Sequence, residues 1–383
     1  MAVLNDEQQM LKDMAAEWVR DRMPVTALRN LYDHGGGGRS DAIGYDPESW
    51  AEMAAMGWAG IIVPEAHGGS DFGYQSLGLI LKELGRTLAA SPLISSALGA
   101  VTALRLGGDG AQQTRWLPAL ADGSSIGTIA FEEGAHFAPE RMATSAHASG
   151  DQWVLNGRKY PVQDGMAADI FILSARTSGQ SSDRDGVTLF VIDAAIAGLT
   201  RDPLDQIDAR RPASLTLRDV IVPADRVLGE VGKGADLIDA IIDRMATGMA
   251  AEMLGSASQA FDTTMDYLKT RIQFGAIIGS FQALQHRAAD LFGELQLTRS
   301  AVEAALIAID DEAADLSALA SLAKATAGET LHRISSQMVQ LHGGIGMTHE
   351  HDAGLYLKRA RVAEQCYGST AWHRERWARL NGY

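Results

Sequence analysis

The residues of this sequence whose types could do chemistry are dispersed. Any of the 48 acidic residues could accept a proton, Asp243, Glu252 and Glu364 among them. Each also has an ordinary reading: Glu252 as a buried partner for an arginine or a backbone group, Asp243-Arg244 as a charged helix face. His136, His147 and His342 have no partner at metal-ligand spacing. His349 and His351 flank Glu350, but residues two apart diverge on a helix, so no metal site is expected. Cys366 is the only cysteine, which excludes an intrachain disulfide and a thiolate zinc cage. The Arg271 guanidinium could pair bidentately with phosphate oxygens, or form a surface salt bridge. Gly343-Gly344 could let a backbone approach a ligand closely, or cap a helix.

The elements that must position these groups follow from periodicity. Met10, Met14, Trp18 and Val19 recur at helical spacing, and a Gly-rich break at Gly35 to Gly38 predicts a surface loop. Further helices are expected around Pro47 to Met56 and Leu77 to Leu88. From Ile126 to Leu228 the period drops to two. Here Gln152–Leu155 and Arg158–Val162 flank Asn156-Gly157, which predicts a hairpin. DIFILSAR, GVTLFVID and ASLTLRDVIV supply further strands, and TSGQSSDRDG between two of them reads as a loop tip. From Gly234 the helical period returns, with Leu237, Ile241, Met245, Met249 and Met253 forming one apolar stripe suited to core packing. Helices over Phe281–Ile309 and Leu316–Gln340 complete a bundle.

The 383 residues suggest two or three domains. With 46% apolar and 21% charged residues the chain has a globular composition. Its 48 acidic against 33 basic residues, a net charge of -15, argue against nucleic acid or anionic membranes as partners. No stretch approaches about 18 uninterrupted apolar residues, so no membrane span is expected. The start lacks the basic-then-apolar pattern of an export signal, and one cysteine fits a reducing cytoplasm.

The motifs VPEAHGGSDFG, Glu83 to Gly85, YLKTRIQFG with FQALQHRAADL, and QLHGGIGMTHE together resemble the acyl-CoA dehydrogenase family over roughly residues 5 to 380. The variant most similar in sequence is the small subunit of heteromeric enzymes of the pimeloyl-CoA dehydrogenase type. The resemblance implies a multi-domain α+β fold: an N-terminal helical domain over 1–125, a middle β-barrel domain over 126–228 and a C-terminal four-helix bundle over 229–383. It implies FAD, an acyl-CoA thioester substrate as in β-oxidation of fatty or dicarboxylic acids, and an electron-transfer flavoprotein as acceptor. In the family reaction a carboxylate takes the α-proton while the β-hydrogen leaves as hydride to the flavin.

Each FAD of the family's tetramers lies at a subunit interface. The resemblance therefore sorts contacts by ownership. For the neighbour's FAD it implies Arg271 on the pyrophosphate, then Gln273, Phe274, Ile278, Phe281, Gln340, Gly343 and Gly344. Phe281 departs from a common histidine. Contacts to a chain's own FAD are eroded: T-E-P-x-A-G-S-D is replaced by Glu132-Glu133-Gly134-Ala135-His136-Phe137-Ala138, where Glu132 would bring a negative charge. W-I-T-N-G reads Pro161-Val162-Gln163-Asp164-Gly165, and only Thr370 is retained.

The Y-E-G-T signature with the catalytic glutamate reads Tyr367-Gly368-Ser369-Thr370, and glycine cannot accept a proton. The position of the glutamate in other relatives falls on Met245. Glu252, seven residues on, lies on the same helix face but about 10 Å further along. Three readings follow. The chain is a non-catalytic subunit paired with a homologous large subunit, as in a heterotetramer; or a homotetrameric enzyme with Glu252 as relocated base; or a flavin-free scaffold on the same fold.

Overall fold

The computed structural model describes residues 4–35 and 43–383. Among these, the N-terminal helical pattern is realised as α1 (Asp6–Arg22), α2 (Val25–Gly35), α3 (Pro47–Ala55), α4 (Gly73–Arg86), α5 (Val101–Gly107) and α6 (Gly110–Ala121). Local chemistry sets several of the starts. Asn5 with Gln8 and Asp109 with Gln112 form reciprocal capping boxes on α1 and α6, and Asp46 caps α3 ahead of Pro47. Gly35 closes α2, while the rest of the Gly-rich break, Gly36 to Gly38, lies outside the described residues. A π-helical segment, Ile94–Ala100, leads into α5.

Strands then follow: β1 (Gly127–Ala130), β2 (Ser145–Ser149), β3 (Gln152–Val162), β4 (Ile170–Arg176), β5 (Val187–Asp193), β6 (Leu199–Pro203), β7 (Ala213–Pro223) and β8 (Val227–Leu228). They form one sheet in the order β6-β7-β3-β2-β4-β5-β8, with β1 parallel to β4. Leu155, Phe171, Phe190, Leu215 and Val220 fill its buried face. The loop between β4 and β5 is held from within by the Arg176 guanidinium, which donates to the carbonyls of Ser178, Ser181, Asp183 and Asp185.

The hairpin expected at Asn156-Gly157 is not there. β3 runs straight through both residues, and β2 turns into β3 at Gly150-Asp151 instead. Asn156 faces a bulge in β7, where Arg218 and Asp219 together oppose it. Asn156 exchanges two 2.9 Å hydrogen bonds with Asp219, and a Cβ on Gly157 would lie 2.4 Å from the Thr144 hydroxyl. The glycine is required by a close approach and not by a turn.

The C-terminal part comprises α7 (Gly234–Thr270), a two-stranded ribbon of β9 (Ile272–Gln273) and β10 (Ala276–Ile277), α8 (Gln282–Asp310), α9 (Leu316–His342), α10 (Ala353–Gln365) and α11 (Thr370–Leu380). By contacts the chain divides into two units, Met1–Arg29 with Tyr74–Ala89 and Ala246–Tyr383, and Asn30–Gly73 with Ala90–Met245.

In the first unit, α4 crosses the second half of α7 at backbone contact. Ser256 Oγ donates to Gly85 O at 2.8 Å, and a Cβ on Gly85 would fall 2.0 Å from the Glu252 carbonyl. Asp310 at the end of α8 accepts the Tyr74 and Gln75 amides of the first turn of α4 at 2.7 and 2.8 Å, where a carboxylate also meets the helix dipole favourably. Thr298 and Thr330 bond across α8 and α9 at 2.8 Å. In the second unit, the strands and the first turns of α7 carry the core. No helix among the described residues is long and apolar enough to cross a membrane.

Candidate functional site

The turn between α10 and α11 carries Gly368, the residue that the resemblance sets against the family's glutamate. Tyr367 has φ 56° and Gly368 φ 104°, and Ser369 then caps α11 by accepting from the Trp372 amide at 3.2 Å. Lys324 on α9, fully buried, donates to the carbonyls of Glu364 at 3.0 Å and Gly368 at 2.9 Å. Burial pulls its amine down to about 8.

His373, one turn into α11, is also fully buried and donates from Nε2 to Tyr367 O at 2.9 Å. Burial, reinforced by Lys324, pulls its imidazole down to about 3, so the ring is neutral. A Cβ on Gly368 would lie 2.6 Å from His373 Nε2 and 2.8 Å from Trp372 Cε3, closer than such contacts occur. The space for a side chain is filled. The Thr370 hydroxyl is buried without a hydrogen-bond partner among the described residues, against Gly328 of α9.

The acids weighed as substitutes are engaged elsewhere. Glu252 is buried and takes Arg359 Nε at 2.8 Å and NH2 at 2.7 Å on the same oxygen, and Arg359 NH2 also lies 3.7 Å from Met249 Sδ. A carboxylate clamped this way serves a buried ion pair, which runs against its use as a relocated base. Asp243 is 2% exposed and partnered, so the expected open charged face is in fact buried. The Glu364 side chain pairs with Arg361 at 3.6 Å. Met245 is fully buried with its thioether against Gly99.

Of the residues expected with Arg271, Gln273, Phe274, Phe281, Gln340, Gly343 and Gly344 are exposed like Arg271 itself, and Ile278 is buried. The ribbon β9–β10 turns at Phe274 (φ 55°) and Gly275 (φ 75°), a two-residue turn of the type that matches strand twist. Phe274 is 93% exposed, an aromatic held outward in a conformation that non-glycine residues seldom adopt. Its ring meets Phe281 edge-on at 6.3 Å, and Ile278 seals the base of the ribbon with Leu268 and Leu341.

Tyr267 joins this ribbon to the end of α9. Its ring lies 4.3 Å from that of His342, which in turn meets His351 at 4.3 Å and bonds the Met338 carbonyl. Gln340, Gly343 and Gly344 are exposed beyond it, and nothing lies within 4 Å of where either glycine's Cβ would be. No hydrogen bond or ion pair joins the Arg271 or Gln340 side chain to another described residue.

In the second unit, the Glu132–Ala138 segment is tied down by Glu133. Glu133 pairs with the fully buried Lys159 at 2.6 Å and accepts the Ala143 and Thr144 amides. Burial acts to raise its carboxyl, but Lys159 and these donors hold it below the usual range. The neighbouring Glu132 has no such partner, and burial pushes it up to about 8. Burial thus works against the negative charge expected of Glu132, and that of Glu133 is compensated by Lys159. Pro161, without an amide hydrogen, sits where the β3–β7 register breaks, and Thr128 Oγ1 donates to Gln163 O at 2.7 Å.

Lys324, His373 and Tyr267 are the parts that sequence reasoning missed. A lone lysine or histidine on an apolar helix has no distinguishing signal, since what defines these residues is a turn about 45 residues away or next to them. Among the described residues no group of three or more histidines, cysteines or acids is placed to hold a metal.

Family models described as the N-terminal, middle and C-terminal domains of acyl-CoA dehydrogenase match residues 5–124, 128–220 and 232–380. Acyl-CoA dehydrogenase IpdE2 of Mycolicibacterium smegmatis is 32% identical over 95% of this chain and 96% of its own. Butyryl-CoA dehydrogenase of Megasphaera elsdenii superposes with a TM-score of 0.91 at 25% identity, covering 100% of this chain and 99% of that one. The Tcur3481-Tcur3483 steroid ACAD superposes at 0.87 with 30% identity and 98% coverage of both chains.

Proposed function

This chain belongs to the acyl-CoA dehydrogenase family, FAD-dependent oxidoreductases of acyl-CoA thioesters, and from that premise we propose that it is the non-catalytic small subunit of a heteromeric enzyme. One observation carries the reading. The space for a side chain at Gly368 is filled by His373 and Trp372, while Arg271, Gly343 and Gly344 stand exposed and open. A catalytic position closed on one side and a ligand-ready surface on the other is what division of labour between unlike subunits would leave.

The exposed face suits part of a flavin dinucleotide. Arg271 offers an uncommitted guanidinium for phosphate oxygens, and Gly343 and Gly344 offer backbone with no side chain in the way. Phe274 and Phe281 offer aromatic surface, flanked by Gln273, Ile278 and Gln340. Thr370 fits this role poorly, because its hydroxyl is packed against α9. The chemistry that bound FAD supplies is acceptance of the electrons removed when the acyl group is oxidised across Cα and Cβ. In this assignment the base, the acyl slot and most flavin contacts belong to a homologous large subunit, and electrons pass on to an electron-transfer flavoprotein. The paired designation of the similar steroid ACAD supports a two-chain assembly.

Purification from the native source tests this. The expected result is a second chain of similar size in the complex and about one FAD for every two chains. Isolated, this chain should hold no FAD and show no turnover. Stoichiometric FAD in a homo-oligomer that oxidises acyl-CoA would overturn it.

A further inference from the structure

A separate cavity of about 390 Å³ opens in the first unit, between the start of α1, α4, the second half of α7 and the end of α8. Leu79, Leu254 and Val302 give it an apolar floor, and Lys12, Lys82 and Arg299 stand around it with one acid, Glu303. Its size falls within the range of small-molecule sites, about 300–1,000 Å³.

The cations of this cavity are poorly satisfied by the protein. No hydrogen bond or ion pair joins Lys82 to another described residue. Its amine is lowered chiefly by burial and then by the charge of Arg299, with Lys12 adding to this and Glu83 and Glu303 opposing it. Arg299 donates from NH1 to Gln296 at 3.0 Å, but its Nε is buried without a partner. In a chain of net charge -15, three cations around an apolar hollow form a local field that attracts an anion.

We infer that this cavity binds a small amphiphilic anion, its head group on Lys82 and Arg299 and its apolar body on Leu79, Leu254 and Val302. The residues involved are distinct from Gly368 and from the Arg271 surface, so the inference holds whichever subunit role is correct.

Isothermal titration of the protein in its native assembly with octanoate, octanol and inorganic phosphate tests it. Octanoate is expected to bind once per chain, octanol at least about tenfold more weakly, and phosphate not measurably. Lys82→Met, which removes a buried charge and so should fold, and Leu79→Trp, which fills the floor, should each weaken octanoate at least about tenfold. Absence of octanoate binding overturns the inference, as does equal binding of octanol. Octanoate binding unchanged in Lys82→Met overturns it too, by placing the ligand elsewhere.

Discussion

His373 stands in the space that a side chain on Gly368 would need, with Nε2 2.6 Å from the position of a Cβ there. The turn around Gly368, the residue that falls on the glutamate of the Y-E-G-T motif, is fixed by Lys324 on its carbonyl and by His373 on that of Tyr367. Gly368→Glu is therefore expected to fail as a repair. Strain at φ 104° and crowding should together destabilise the protein by about 2–5 kcal/mol, without acyl-CoA oxidation appearing. Thermal unfolding and a dye-coupled assay read the two effects. Turnover at undiminished stability would show that the position is still open.

Glu252 offers a contrast between a structural and a catalytic acid. Because it is buried against Arg359, Glu252→Gln should leave that guanidinium short of its counter-charge and cost about 3–5 kcal/mol. Adding Arg359→Met should recover much of the loss, since the pair is then removed whole. A relocated base would behave otherwise: the single substitution would abolish turnover and leave the unfolding midpoint in place.

Much of the helical architecture was legible because its signal is local. Of the i+4 stripe Leu237, Ile241, Met245, Met249 and Met253, all but the half-buried Leu237 are buried, and the apolar runs of the middle region became strands β4, β5 and β7. Asn156-Gly157 misled for a physical reason. Its glycine answers to Thr144 and its asparagine to Asp219, contacts that no window around the dipeptide contains. The candidate site divides in the same way. That a glycine stands at 368 can be read from one letter, whereas the exposed ribbon at Phe274-Gly275 depends on two residues with positive φ. That His373 fills the vacated space depends on a positive-φ turn, and the Glu252–Arg359 pair joins residues 107 apart.

Two buried groups should give stability opposite dependences on pH. The folded-state pKa of His373 is depressed from 6.5 to about 3, so its contribution is fully present above pH 6.5 and is lost as pH falls toward 3. That of Glu132 is raised from 4.5 to about 8, so its contribution is present below pH 4.5 and is lost as pH rises through 8. Within each window the slope is about 1.4 kcal/mol per pH unit. In denaturant titrations across pH, His373→Gln should flatten the acid limb. Glu132→Gln should be more stable than the parent at pH 8 and indistinguishable from it at pH 4. The reverse pattern would show that Glu132 is charged in the folded protein.

Arg271 provides the sharpest test of a subunit that supports flavin without catalysing. Its exposed guanidinium has no hydrogen-bond or ion-pair partner among the described residues, so its removal should leave this chain's own stability within about 0.5 kcal/mol. In the native complex, however, Arg271→Gln removes a bidentate phosphate contact and should weaken FAD retention by about 1.5–3 kcal/mol, roughly ten- to a hundredfold. Arg271→Lys keeps the charge but not the fork, and should fall between the two. Flavin released on dilution or dialysis can be followed by fluorescence, independently of turnover. Unchanged retention in Arg271→Gln would mean that this face does not meet the cofactor, and that the complex must be held together for another reason.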